Sequence, residues 1–149
     1  MSDAGMRAYV DGLPVPEFDI PRLVTPPSLA TATVAIVTTA AIHRVGDEGF
    51  EAVDTGYRTI ARAERDLVLG HWSPNFDRTG FAADLDVVFP IDRLEEMAAD
   101  GEIGAVAPHH LAFAGNQEDT VTRVRLDSGP AAARALRSDG VDVAILTPV

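Results

Sequence analysis

The sequence predicts an α/β fold in three layers around a mostly parallel sheet, with an irregular N-terminal arm and a long central excursion. Three observations carry this. The runs TVAIVTT (residues 33–39) and VDVAIL (141–146) are continuous and rich in β-branched residues, as strands covered on both faces of a parallel sheet are. A helical stretch, DSGPAAARALRSDG, leads directly into the second run, which is half of a βαβ unit. The chain has 149 residues, room for one domain with a real core and not for two. The expected organisation is a Pro-rich arm over residues 1–30 and a single α/β domain over 31–149, truncated at its C-terminus.

In order along the chain, Pro14, Pro16, Pro21, Pro26 and Pro27 fix φ and remove donors, so the arm is expected to be extended, without a long helix. The first strand is expected over 33–39, followed by a loop, AAIHRVGDEGFEAV. Short strands are expected at YRTI (57–60), at 67–69 and at LDVVF (85–89). The segment from 39 to 85 is too irregular for a uniform doubly wound fold, hence the excursion. A helix follows. Pro90 suits its first turn, Ile91, Leu94 and Met97 share one face, Asp92, Glu95 and Glu96 place negative charge toward its start, and Gly101 suits its stop. IGAVAP (103–108) is a short strand or an extended turn. In the second helix Asp127 or Ser128 is expected to cap, Pro130 lies in the first turn and Gly140 ends it. The last strand, 141–146, is expected to be buried on both faces.

Composition removes whole classes of function. Net charge is −11 and all twelve basic residues are Arg, so neither nucleic acid nor an anionic membrane surface is an expected partner. Absence of Lys removes Schiff-base chemistry and the phosphate-loop lysine. There is no Cys, hence no disulfide, thiolate metal site or cysteine nucleophile among these residues. No apolar run approaches a membrane span. MSDAGMRAYVDG lacks the cationic and apolar pattern of a secretory signal, so a cytoplasmic location is expected. No GxGxxG, GxxxxGK[ST], GxSxG or HExxH pattern occurs, and no metal site is expected.

The chemistry-bearing side chains gather where an open sheet binds ligands, past the carboxyl ends of strands. His43 follows the first strand, His71 the strand at 67–69, and His109 and His110 follow IGAVAP. GHWSPNFDRTGF (70–81) is the densest polar stretch, with an imidazole, an indole, an amide, a carboxylate and a guanidinium between His71 and Arg78. It reads equally as a functional loop and as a structured one in which Asn75 and Asp77 cap turns.

The segments VAIVTTAAIH, HWSPNFDRTGFAADLDVVFPIDRLEEMAADGEIGAVAPHHLAFAGNQ and ALRSDGVDVAILTPV, in this order and spacing, resemble the glycine/sarcosine/betaine/D-proline reductase selenoprotein B family over residues 34–149. NFDR, VVFPIDRL, GEIG and the DGVD…PV ending are the most specific pieces. The resemblance implies an oxidoreductase that reduces a small amine with a selenocysteine, or a cysteine in its place, as nucleophile. That residue is expected immediately after Val149, with a Cys a few residues on, so no catalytic residue is expected within the chain and selenocysteine is the group expected in the full-length protein. Codon 150 is expected to be UGA, and the chain to be inactive alone.

On loop position and side-chain type, His71, Asn75, Asp77, Arg78 and His109, with Thr39 and Thr147 at the strand tips, are candidates for binding a small carboxylate- or amine-bearing substrate or for moving protons. A thiol reductant or partner subunit is implied. Uncovered apolar surface makes a homo-oligomer the expectation, burying the exposed sheet or the arm. Two other readings stay open: a non-enzymatic α/β binding or subunit module, and a hydrolase using carboxylate- or His-activated water.

Overall fold

The structure, a computed structural model, describes residues 2–13, 24–72, 78–117 and 121–149. Its elements are α1 (Asp3–Asp11), β1 (Thr33–Thr38), β2 (Ile42–Arg44), β3 (Tyr57–Ala61), β4 (Leu67–Leu69), α2 (Thr79–Ala83), α3 (Ile91–Ala99), β5 (Ala105–Val106), β6 (His109–Phe113), α4 (Gly129–Ser138) and β7 (Val143–Thr147). Short 3-10 turns lie at Leu29–Thr31 and Leu85–Val87, and a π-helical stretch, Val124–Ser128, runs into α4.

The sheet is built outward from β1, the β-branched run. On one side β1 pairs in parallel first with β5 (Val34 opposite Val106) and then with β6 (Val37 opposite Leu111). On the other it pairs in parallel with β7, from Val34 opposite Val143 to Thr38 opposite Thr147. β3 adds to β6 antiparallel, Tyr57 facing Phe113 and Ala61 facing His109. The expected α/β fold with a mostly parallel sheet is therefore what forms. One face buries Val34 and Ile36 against Phe89, Ile91 and Leu94 of the α3 side. The opposite face buries Ala35, Leu111 and Phe113 under Ala132 and Leu136 of α4. Adjacent apolar residues on the strand thus serve two different cores, which is why β1 reads as an unbroken apolar run.

The break between β5 and β6 has a chemical cause. Pro108 offers no N–H, so the ladder is interrupted there. Ala107 still donates to Val34 O at 2.9 Å, but the next inward donor of β1, Ile36 N–H, bonds the imidazole Nδ1 of His110 at 3.0 Å. His110 is fully buried, edge-on to the Phe89 ring at 5.4 Å. Its Nδ1 accepts, so the proton sits on Nε2. The side chain stands in for a missing backbone carbonyl.

Several expectations are corrected. Residues 85–89 do not form a strand: the Asp84 carboxylate accepts the Asp86 N–H at 2.9 Å, and Leu85 O takes the N–H groups of Val88 and Phe89. Val88 and Phe89 are buried in the core from this turn, while Val87 is 61% exposed. The arm opens with the helix α1, because its prolines begin only at residue 14 and the Ser2 hydroxyl accepts the Gly5 N–H at the cap. The loop expected after β1 contains β2, paired antiparallel with β4, Ile42 facing Leu69. His109 and His110 lie within β6, not past the end of a strand. Ser128 does not cap α4: it has helical backbone angles (φ −68, ψ −34), because the helix is already running through the π-helical stretch before it. β7 is not buried on both faces, since Ala144 is exposed and Leu146 is 70% exposed. The excursion is short-stranded and folds back, with Arg62 and Arg65 after β3 ion-paired to Glu95 and Asp92 of α3.

Candidate functional site

The carboxyl ends of β1, β6 and β7 come together, as they must when three parallel strands are adjacent. Their last residues are cross-tied by polar atoms. The Thr39 N–H and the Thr38 hydroxyl both donate to Thr147 O, at 3.2 and 3.4 Å. The Val149 N–H donates to Thr39 Oγ1 at 2.8 Å, and Ala41 N–H donates to Phe113 O at 2.9 Å. The Thr147 hydroxyl turns to the α3 side and donates to Val88 O at 2.8 Å. Short β-branched hydroxyl residues at strand tips can do this because χ1 is stiff and the oxygen lies close to the backbone.

His71 is buried in this junction, 6% exposed. It lies so close to Gly115 that a Cβ there would come within 2.6 Å of His71 Nε2 and 2.2 Å of Thr39 O. Gly115 also has φ +78, so glycine is required both for its backbone and for the approach of the imidazole. Burial pushes the His71 imidazole below its ordinary value. A hydrogen bond to the Val149 backbone works against that, and the Arg78 guanidinium adds to the lowering. The ring is neutral at neutral pH and able to take a proton. Arg78 donates to the His71 carbonyl oxygen, while Trp72 Nε1 donates to Phe50 O. Ala41, at φ +55, turns the chain into β2. Its carbonyl accepts from Gly70 N–H and from Nδ1 of the buried His43, both at 3.1 Å.

Beside these tips is a hollow of about 430 Å³ lined by Val37, Thr39, Phe113, Gly115, Val124 and Val149, among others. Its walls are mostly apolar, with Thr39 and Gln117 as polar groups. A second hollow of about 440 Å³ holds Arg78 and Arg65 beside Leu67, Leu69 and Leu85. Arg65 is engaged there by Asp92 and by the Arg62 and Glu64 carbonyls.

Of the residues expected at a site, the structure brings Thr39, His71, Arg78 and Thr147 to one junction. His109 is elsewhere: it stands at the amino end of β6, four residues and about 13 Å along the strand from Phe113, with Nδ1 2.9 Å from the Asp139 carboxylate. Asn75 and Asp77 lie outside the described residues. Sequence reasoning missed Gly115, Phe113 and Val149 as parts of the junction. FAGNQ shows a glycine in a polar setting, but nothing local announces that an imidazole from residue 71 packs on it. Among the described residues no three His, Asp or Glu side chains gather as a metal site, and no helix is long and apolar enough to cross a membrane.

The sequence profile of the glycine/sarcosine/betaine reductase selenoprotein B family matches residues 5–149. The chain belongs to this family. Among curated relatives, it is 33% identical over 135 residues to D-proline reductase subunit gamma of Acetoanaerobium sticklandii, covering 83% of this chain and 54% of that one. It is also 33% identical over 147 residues to the glycine reductase complex component B subunit gamma of Carboxydothermus hydrogenoformans, covering 93% of this chain and 33% of that one. The chain thus spans about half the length of the first relative and a third of the second. No solved structure gives a significant match. The selenoprotein B family match takes in β1, the His71 junction and β7 together.

Proposed function

We propose that this chain is the scaffold and proton-handling part of a selenocysteine- or cysteine-dependent reductase subunit, acting on a small amine- or carboxylate-bearing substrate together with partner subunits and a thiol reductant. The observation that carries the reading is the fixation of Val149. Its N–H is held by Thr39 Oγ1 at 2.8 Å, and its backbone hydrogen-bonds the buried His71. On this reading the redox residue directly follows Val149. A residue there would leave from a fixed backbone position at the strand ends, beside a hollow and a neutral imidazole. The residues present fit such a group.

The selenolate or thiolate would supply the nucleophile, being ionised near neutral pH when its pKa is depressed. The chain's own residues do the rest. Thr39 and Thr147 lock the β1 and β7 tips, Gly115 admits His71, and burial keeps the His71 ring neutral so that it can give or take a proton at the reacting centre. Arg78 holds the His71 main chain through its carbonyl oxygen. The relatives are named as subunits of reductases, which supports work in an assembly.

The test is the full reading frame assayed anaerobically with a dithiol reductant and a panel of small amino acids and methylated amines. His71→Gln is expected to lower kcat by about 100-fold with little change in KM, in the range of a lost general acid–base. Arg93→Ala, on the surface, is expected to leave both unchanged. Full activity in His71→Gln would remove the proton-handling role.

A further inference from the structure

We infer that Trp72 and Asn116 are positioning residues for His71: their side chains hang the two segments that meet at its imidazole from one frame, residues 48–54, and so set where the ring stands. The inference deepens the proton-handling reading of His71 and rests on that reading for its effect on rate.

The frame has no ladder of its own. Residues 48–54 belong to no strand or helix, so their carbonyl groups need partners from elsewhere. Side chains supply most of them. Arg58 Nη2 donates to Glu48 O and Gly49 O, both at 3.3 Å. Trp72 Nε1 donates to Phe50 O. Asn116 Nδ2 donates to Ala52 O at 3.0 Å, and Gln117 Nε2 to Asp54 O at 2.8 Å. The Glu51 carbonyl takes the Asp54 N–H at 3.1 Å. The frame is itself fixed in the core. Phe50 is 4% exposed, with the Arg58 guanidinium 4.7 Å from its ring centre and the His43 ring edge-on at 6.2 Å.

Two of these tethers converge on His71. Trp72 follows His71 in the chain, and Asn116 follows Gly115. The His71 imidazole stands against Gly115, where a Cβ would come within 2.6 Å of Nε2. Both sides of that contact are thus tied to carbonyls two residues apart on one frame, those of Phe50 and Ala52. Burial explains neither tether. Trp72 is 54% exposed and Asn116 is exposed, and one such hydrogen bond adds only about 1 kcal/mol net. What the pair fixes is the spacing between residues 71–72 and 115–117. The sheet does not fix it, since neither stretch lies in a strand. A misplacement of about 1 Å can cost on the order of 100-fold in rate. The indole of GHWSPNFDRTGF and the amide of Asn116 in FAGNQ therefore share one role.

The test uses the full reading frame with 15N-labelled histidine. Imidazole signals are followed through a pH titration, His71 being the signal absent from His71→Gln. Trp72→Phe keeps an aromatic ring and loses the donor, and Asn116→Ala loses the amide. Val53→Ala alters the exposed tip of the frame, at 78% exposure, and no tether. Arg78, the charged group that acts on His71, is untouched in all three. In Trp72→Phe and in Asn116→Ala the slot opens to water, so the His71 midpoint should rise toward the ordinary histidine value. Their kcat should fall about 10-fold at unchanged KM, while Val53→Ala matches the wild type in both readouts. A His71 midpoint unmoved in both tether variants overturns the inference, as does an equal shift in Val53→Ala. A raised midpoint with undiminished kcat keeps the positioning role and removes the proton-handling reading instead.

Discussion

His110 looks from its residue type like a ligand or a catalyst, and its surroundings make it a structural group. Its Nδ1 accepts the Ile36 N–H where Pro108 interrupts the ladder, and burial lowers its pKa from 6.5 to about 4. The folded-state value lies below the unfolded one, so between these values the unfolded chain binds more protons. The contribution to stability is therefore full above about pH 6.5 and is lost as pH falls toward 4, on the order of 3 kcal/mol in all. The buried His71 is shifted the same way and adds to the trend. His110→Phe keeps the ring volume but strands the buried Ile36 N–H, which costs about 1–3 kcal/mol. Urea unfolding at pH 7 should show that loss, and the variant should show a shallower fall in stability from pH 6.5 to 4.5. An unchanged slope would contradict the assignment.

At the scale of elements, the helix before β7 separates a sequence rule from what the chain does. Ser128 precedes a Gly-Pro pair and has the position of a cap, and removing a cap costs about 1 kcal/mol. In the structure Ser128 sits inside continuous helix, and its hydroxyl is buried without a partner among the described residues. Ser128→Ala is therefore expected to leave the thermal midpoint unchanged or raised, and a drop of several degrees would restore the cap. The elements legible in the sequence are those whose pattern is local. β1 announces itself by its β-branched run, α3 by its 3.6-residue stripe from Ile91 to Met97, and α4 by Pro130 and Gly140. Residues 85–89 were illegible because the same Val-Val-Phe composition packs as well from a turn as from a strand, and the Asp84 cap decides it. β6 was hidden behind Pro108 and two histidines, one of which completes the sheet with its ring. The exposure of β7 was hidden because covering depends on what lies beside a strand, not on the strand.

Across the whole molecule, parallel strands converge their carboxyl ends, and that convergence gathers residues far apart in the chain. Thr39, His71, Gly115 and Val149 meet through topology, with hydrogen bonds spanning up to 110 residues in sequence. Loop position brought His71 and Arg78 forward as candidates, and the structure sets both at the strand-tip junction. Loop position could not separate His109, whose place at the amino end of β6 follows from a strand the sequence did not show. The proposed function makes the held backbone of Val149, at the joined strand tips, the centre of chemistry. The most direct measurement is to read the gene across codon 150 and through the frame that follows. The account predicts UGA or a cysteine codon at 150, a further Cys codon soon after, and continuing α/β pattern in frame. A different residue there, or a UAA or UAG stop with no continuation of the family, would contradict it.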